Sequence, residues 1–423
     1  MDKLIQNPEV KTFGCRLNFW ESEIIKDQLV KNEIFEKLII FNTCSVTEEA
    51  ERKVKKSIRQ MKRNKPEAKI IVTGCAAQIS PKKWLEMPEV NFVVGNKEKT
   101  EKNFWVKLLN FENKKIVVSD IMKIKEISGH LLESFNQHTR YFLQIQNGCD
   151  HRCTFCVIPY GRGNSRSVCE DEIIFNIKKA LKNDIKEIVL TGVDLTSWGK
   201  DFDKKKSLGQ LIKTIFNSVP EIPRLRVSSL DPAEIDFEFM EVLQNEKRLM
   251  PHLHLSMQHG DDLILKRMKR RHLYRDVINF VEEAKRRRHD VVFGADVISG
   301  FPTETEKAHS NLLKLLKEAD IKFVHVFPFS SRKFTPASKM EQLPVSIIKQ
   351  RSKEIRQLSE NQKIKFYDSL VGSYQEILVE KNNFGYTPQY AKVKLESNIC
   401  PGQIIKTKIL KNNNIYLTGN KIL

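Results

Sequence analysis

Long apolar runs are missing from this sequence. No stretch approaches the roughly 18 consecutive apolar residues that a membrane-spanning helix needs, so a helical membrane protein is excluded. The first residues, MDKLIQNPEV, lack the apolar core of a secretory signal peptide, and a cytoplasmic location is expected. Cysteine is sparse, 8 in 423 residues, too few for a dense disulfide framework. In a reducing cytosol, clustered cysteines are metal ligands more often than bridges. The 10 histidines form no ligand-spaced pair. Acidic residues are in deficit, 53 Asp+Glu against 72 Lys+Arg, leaving a formal charge of +19. That imbalance favours a polyanionic partner, RNA or DNA first, although a lysine-rich proteome gives the same signature.

What is present is an ordinary globular chain, long enough for two or three domains, with its cysteines in two sets. The first set lies in YFLQIQNGCDHRCTFCVIPYGRG (141–163). An apolar strand stops at Asn147-Gly148 and delivers Cys149, Cys153 and Cys156 in the spacing C-x3-C-x2-C. Structural zinc and 4Fe–4S clusters each normally take four protein ligands. Three thiols on one loop therefore suggest a cluster with one iron left open for another molecule.

The second set is spread over the first third of the chain. Strands Val10–Cys15, Leu38–Cys44, Ala68–Cys75 and Val90–Gly95 alternate with helical segments, which predicts a parallel sheet covered on both faces. Three of these strands end alike, in TFGC, FNTC and VTGC. Cys15, Cys44 and Cys75 would then stand at the carboxyl edge of adjacent strands about 5 Å apart, the edge where open α/β sheets bind ligands. The inference is a second cluster with three protein ligands. Lys99 to Gln137 is charged and carries no clear pattern.

From Arg140 six further strands are expected, at 141–146, 187–192, 224–230, 252–257, 290–298 and 322–329, with helices between them. Six βα units fit a partial (β/α)6 barrel, with chemistry at the carboxyl ends of the strands. A helix over Val345–Leu370 closes this domain. Beyond Val371, short strands separated by Asn-Asn and Pro-Gly turns predict a small β-barrel with seven lysines against three glutamates. The expected fold class is α/β, with domains at 7–118, 135–367 and 368–423.

The cluster loop, with the aromatic Phe155 before its last cysteine, resembles the signature of the radical S-adenosylmethionine (SAM) enzymes. The motifs GCRLNFWESE (14–23), FNTCSVTEEAERK (41–53), VTGCAAQ (72–78) and VVGN (93–96) extend the resemblance over essentially the whole chain to the methylthiotransferases of that superfamily. The terminal module resembles TRAM, an RNA- or protein-binding barrel. The resemblance implies two 4Fe–4S clusters and two SAM molecules per turnover. One SAM is cleaved to a radical at Cys149, Cys153 and Cys156. The other methylates a sulfur held at Cys15, Cys44 and Cys75. It also implies SAM contacts from Phe155, Gly192, Asp194, Ser229 and Asp296, and an electron donor of flavodoxin or ferredoxin type.

HLHLSMQHGDDLILKRMKRRH (252–272) and FVHVFPFSSRKFTPA (323–337) are most similar to the branch acting on threonylcarbamoyladenosine in the tRNA anticodon stem-loop. Isopentenyladenosine-tRNA and ribosomal-protein aspartate methylthiotransferases are the alternatives. A zinc-stabilised RNA-binding protein is the reading from another class. Arg162 and Arg166, just past the loop, are candidates for contact with substrate or cofactor. The runs KRMKRRH (266–272) and KRRRH (285–289) are equally compatible with phosphate binding and with a solvated face.

Overall fold

The computed structural model describes residues 9–32, 38–109, 115–127 and 139–422. The expected domain starts at 7 and 135, and the last residue, lie outside that set. The chain packs as two compact units that do not follow sequence order. One holds the N-terminal third together with Gln146–Val168 and Ser330–Thr335; the other holds Cys169–Phe329 and the chain from Pro336 onward, with the strand before the cluster loop.

The first unit is built on a parallel sheet of strands β1 (Glu9–Thr12), β2 (Leu38–Thr43), β3 (Lys69–Gly74), β4 (Phe92–Val94) and β5 (Ile116–Val117), ordered as in the sequence. Alternate residues face opposite ways along a strand. Ile39, Phe41, Ile70 and Val72 therefore pack with Val54 and Ile58 of the helix Glu48–Asn64. Leu38, Ile40 and Ile71 pack on the other face with Ile25 and Leu29 of the helix Arg16–Lys31. Thr47 caps the Glu48–Asn64 helix by accepting from the Ala50 amide at 3.2 Å. Strand β5 falls inside the stretch that carried no clear pattern. Two residues are too short to display an alternation.

In the second unit, β6 (Arg140–Gln144) precedes the cluster loop, which contributes the paired strands β7 (Gln146–Asn147) and β8 (Arg166–Ser167) to the first unit. Strands β9 (Glu187–Thr191) and β10 (Arg224–Val227) complete a parallel sheet ordered β10-β9-β6. Strands β11 (Ser229–Leu230), β12 (His252–Gln258), β13 (Val292–Ser299) and β14 (Phe323–Pro328) form a second parallel sheet in that order. The single strand expected over 224–230 is thus divided. The Ser228 amide still donates to Leu190 O of β9, but Ser229 already pairs with His254, so the chain passes from one sheet to the other there.

The terminal barrel is closed, β15 (Tyr374–Val379), β16 (Phe384–Tyr386), β17 (Lys392–Leu395), β18 (Ile404–Asn412) and β19 (Leu417–Lys421), in the order β15-β16-β17-β19-β18. Its core of Ile377, Val379, Val393, Ile405 and Leu417 continues into Phe366 and Tyr367 of the helix Val345–Leu370 and Val292 of β13. A buried charge cluster joins it to the starts of β6, β9 and β10. Glu187 pairs with Arg140 at 2.8 Å and Arg226 at 2.9 Å. Arg140 reaches Glu380, while Arg224 and Arg226 donate to the carbonyls of Glu376 and Pro388. The Tyr386 and Tyr390 rings lie against the guanidinium of Arg140, at 4.7 and 5.2 Å.

Candidate metal centres

Strands β1, β2 and β3 are adjacent and in register, Thr12 opposite Asn42 and Thr43 opposite Gly74. Cys44 and Cys75 follow directly on β2 and β3, and Cys15 comes three residues after β1. Gly14 lets the first of these turns close. Its φ is +101°, and a Cβ there would lie 2.7 Å from Cys44 Cβ, so only glycine fits. All eight cysteines are thiols, which removes the disulfide alternative. Burial, and then the neighbouring Cys75 and Cys15, push the Cys44 thiol up to about 12. Three thiols this close resist ionising together unless a cation compensates them, and iron is such a cation. The donor set fits an iron–sulfur cluster.

A buried polar network stands behind these thiols. Arg162 Nε donates to Cys75 Sγ at 3.2 Å. Its other nitrogens reach Glu21 Oε1 at 2.5 Å and Oε2 at 3.0 Å, and Asn18 Oδ1 at 2.5 Å. Lys99 Nζ donates to the same Glu21 carboxylate at 2.6 Å and to Asn42 Oδ1 at 3.2 Å. Asn18 Nδ2 in turn donates to Thr43 O, and Asn96 Nδ2 donates to Gly161 O at 2.6 Å. Burial works against the Glu21 carboxylate, but Arg162 and Lys99 outweigh it and hold its pKa below the ordinary value. Arg162, expected beside substrate or cofactor, backs Cys75 of the N-terminal set. Arg166 donates to the Arg162 carbonyl at 2.5 Å and fixes the turn. Asn18 and Glu21 lie inside the GCRLNFWESE motif, and Asn96 ends VVGN. Their side chains were not recognisable as partners from the sequence, because they meet across as many as 144 residues.

The second set sits on a loop closed by the β7–β8 pair. Cys149 N donates to Gly163 O at 3.1 Å, and Cys156 N to Cys153 O at 3.1 Å. The Ile158 amide donates to Cys156 Sγ at 3.4 Å, and Arg152 holds the Cys149 carbonyl at 2.7 Å. An amide on the sulfur favours thiolate, the ligating form. The short helix Ile158–Arg162 leaves this loop and packs on the helix Cys75–Ile79. Both cysteine sets thus belong to one compact unit.

The remaining expected residues are spread along strand ends. Gly192 follows β9, and the Asp194 carboxylate accepts from the hydroxyls of Thr196 at 3.0 Å and Ser197 at 2.6 Å. Ser229 opens β11, and Phe155 is half-buried in the loop. Asp296, expected to contact SAM, stands on β13 between two histidines. Its Oδ1 lies 2.9 Å from His254 Nε2 and 3.1 Å from His325 Nδ1. The basic runs are tied internally: Arg270 to Asp231, Arg271 to Glu234, and Arg288 to the carbonyl of Leu249. Ion pairing and carbonyl capping account for these three arginines.

A three-cysteine loop in this spacing, following the first strand of a parallel α/β series, defines a radical SAM enzyme. The model described as Radical SAM superfamily matches residues 143–316, and the one described as Uncharacterized protein family UPF0004 matches residues 8–95. The threonylcarbamoyladenosine tRNA methylthiotransferase MtaB of Rickettsia prowazekii is 46% identical, over 95% of this chain and 94% of its own length. The MtaB of Aquifex aeolicus is 34% identical, over 94% and 99%. The tRNA-2-methylthio-N(6)-dimethylallyladenosine synthase of Aquifex aeolicus is 30% identical, over 97% of both chains. Among solved structures, the radical SAM methyltransferase TsrM of Kitasatospora setae matches 82% of this chain and 69% of its own with a TM-score of 0.54. At 14% identity that likeness concerns the fold alone. The chain belongs to the tRNA methylthiotransferase family of radical SAM enzymes.

Proposed function

We propose that the protein adds a methylthio group to carbon 2 of N6-threonylcarbamoyladenosine at position 37 of tRNA. The observation that carries this reading is the convergence of Cys15, Cys44 and Cys75 at one sheet edge, in the same unit as the Cys149–Cys156 loop. An enzyme that only generates a radical has no use for the first set. When bound, the two clusters supply the electron that cleaves SAM and the sulfur that is attached. The chain's own residues fix both positions. Cys149, Cys153 and Cys156 leave one iron position open, and Phe155, Gly192, Asp194 and Ser229 are assigned to SAM. Arg162 holds Cys75 in place.

The threonylcarbamoyl branch is favoured over the isopentenyl one by the 46% identical relative, which is named for that substrate. The terminal barrel suits the anticodon stem-loop as partner. Lys394, Lys406 and Lys408 point outward on β17 and β18, with Lys394 over Phe384 and Tyr416 and Lys406 over Tyr374. Lysines interleaved with aromatic rings suit phosphates and bases together. A flavodoxin- or ferredoxin-type reductant is assigned as electron donor.

The test is mass spectrometry of nucleosides from tRNA incubated with the reconstituted enzyme, SAM, a sulfide source and reductant. The expected product is 2-methylthio-N6-threonylcarbamoyladenosine. Methylthiolation of isopentenyladenosine alone would overturn the branch, and of a ribosomal protein aspartate alone the substrate class.

A further inference from the structure

Three metal-ligating side chains that the cluster chemistry does not use meet on one face of the β12–β14 sheet. Along β12, Leu253, Leu255 and Met257 are fully buried on one side, which leaves His252, His254 and Ser256 on the other. On β13 the same alternation buries Phe293, Ala295 and Val297 and sets Gly294 and Asp296 opposite them. Asp296 pairs in register with His325 of β14, and Gly294 with His254 of β12. The result is two imidazoles flanking one carboxylate, with ligand atoms of all three within 4.8 Å of one another.

We propose that His254 Nε2, Asp296 and His325 Nδ1 form a binding site for a single divalent first-row metal ion, separate from both cysteine sets. Donors about 2.0–2.1 Å from an ion lie about 2.9–3.4 Å apart along the edges of an octahedron or tetrahedron. The two edges to Asp296 Oδ1 are 2.9 and 3.1 Å, and the edge between the two imidazoles is within 4.8 Å. Two imidazoles and a carboxylate are the donor set of open transition-metal sites, and not of calcium or magnesium cages. The Asp296 carboxylate brings negative charge to the trio, which favours a cation there. Access is open, since the His325 side chain is 64% exposed and Asp296 23%. That also leaves coordination positions for an oxygen donor from solution. If the threonylcarbamoyl reading holds, the carboxylate of that substituent is such a donor; the metal site does not depend on it.

The backbone is shaped for the trio. A Cβ on residue 294 would come within 2.5 Å of His254 Nδ1 and 3.2 Å of His252 Nε2. Glycine at this point is what lets the His254 ring lie flat against β13 with Nε2 turned to Asp296. Sequence inspection missed the site because its two histidines are 71 positions apart and neither is in a spaced pair.

The test uses the full chain with both clusters reconstituted, so that iron occupies the cysteines. After incubation with zinc sulfate and gel filtration, elemental analysis is expected to give about one zinc per chain. His325→Ala, which alters an exposed ring, and His254→Ala are each expected to abolish it, with iron content unchanged. Gly294→Ala retains all three ligands and is expected to weaken zinc binding about tenfold, as loss of ligand orientation does elsewhere. The proposal is overturned if the wild-type chain retains no zinc, or if His254→Ala and His325→Ala retain it at the wild-type level.

Discussion

Arg162 carries the residue-scale argument. Its guanidinium is buried, forked onto Glu21 and aimed at the Cys75 sulfur. Only a planar fork satisfies three such partners, so lysine is not an equivalent here. Arg162→Met strands Glu21 beside Lys99 alone and should destabilise the first unit by about 3–5 kcal/mol, seen as a lower melting temperature. Arg162→Lys should keep more of that stability but lower auxiliary iron occupancy, measured as iron per chain in a Cys149/Cys153/Cys156→Ala background. An iron content equal to that of the parent triple variant would refute the role.

Glu187 gives a pH prediction. Burial raises its carboxyl, but Arg226, Arg140 and Arg224 outweigh that and bring it to about 2 from 4.5. The stabilisation is therefore complete above its unfolded value and is lost as pH falls toward about 2. The gap in urea midpoint between wild type and Glu187→Gln should be wide at pH 6 and should close progressively from about 4.5 down to about 2.

At the scale of elements, legibility followed length and burial. β2 and β3 are six-residue strands built on the apolar runs Leu38–Phe41 and Ile70–Val72, almost wholly buried, and were placed to within a residue. The two-residue β5 and three-residue β16 carry too few side chains for any period to register. The split of β10 from β11 could not be read because the chain stays extended and largely buried through it and only the partner strand changes at Ser228. The terminal barrel was legible from its turns, and its alternation identifies the outward lysines. Replacing Lys394, Lys406 and Lys408 with glutamine should weaken tRNA binding and flatten the plot of log affinity against log salt by about 2–3. An unchanged slope in a filter-binding titration would remove this face from the RNA interface.

For the whole molecule, the sequence announced both cysteine triplets through strand ends and loop spacing, because thiols at equivalent positions repeat visibly. It did not announce the network behind Cys75 or the His254–Asp296–His325 trio. Those depend on which distant residues the sheets bring into register. The central claim is that the two triplets each hold a cluster of their own. Iron and sulfide content with Mössbauer spectra, on anaerobically reconstituted chains, tests it most directly. The wild type should hold about eight irons per chain as two 4Fe–4S clusters, and Cys15/Cys44/Cys75→Ala and Cys149/Cys153/Cys156→Ala should each hold about four. About four irons in the wild type, or loss of both clusters' iron in either triple variant, would contradict it.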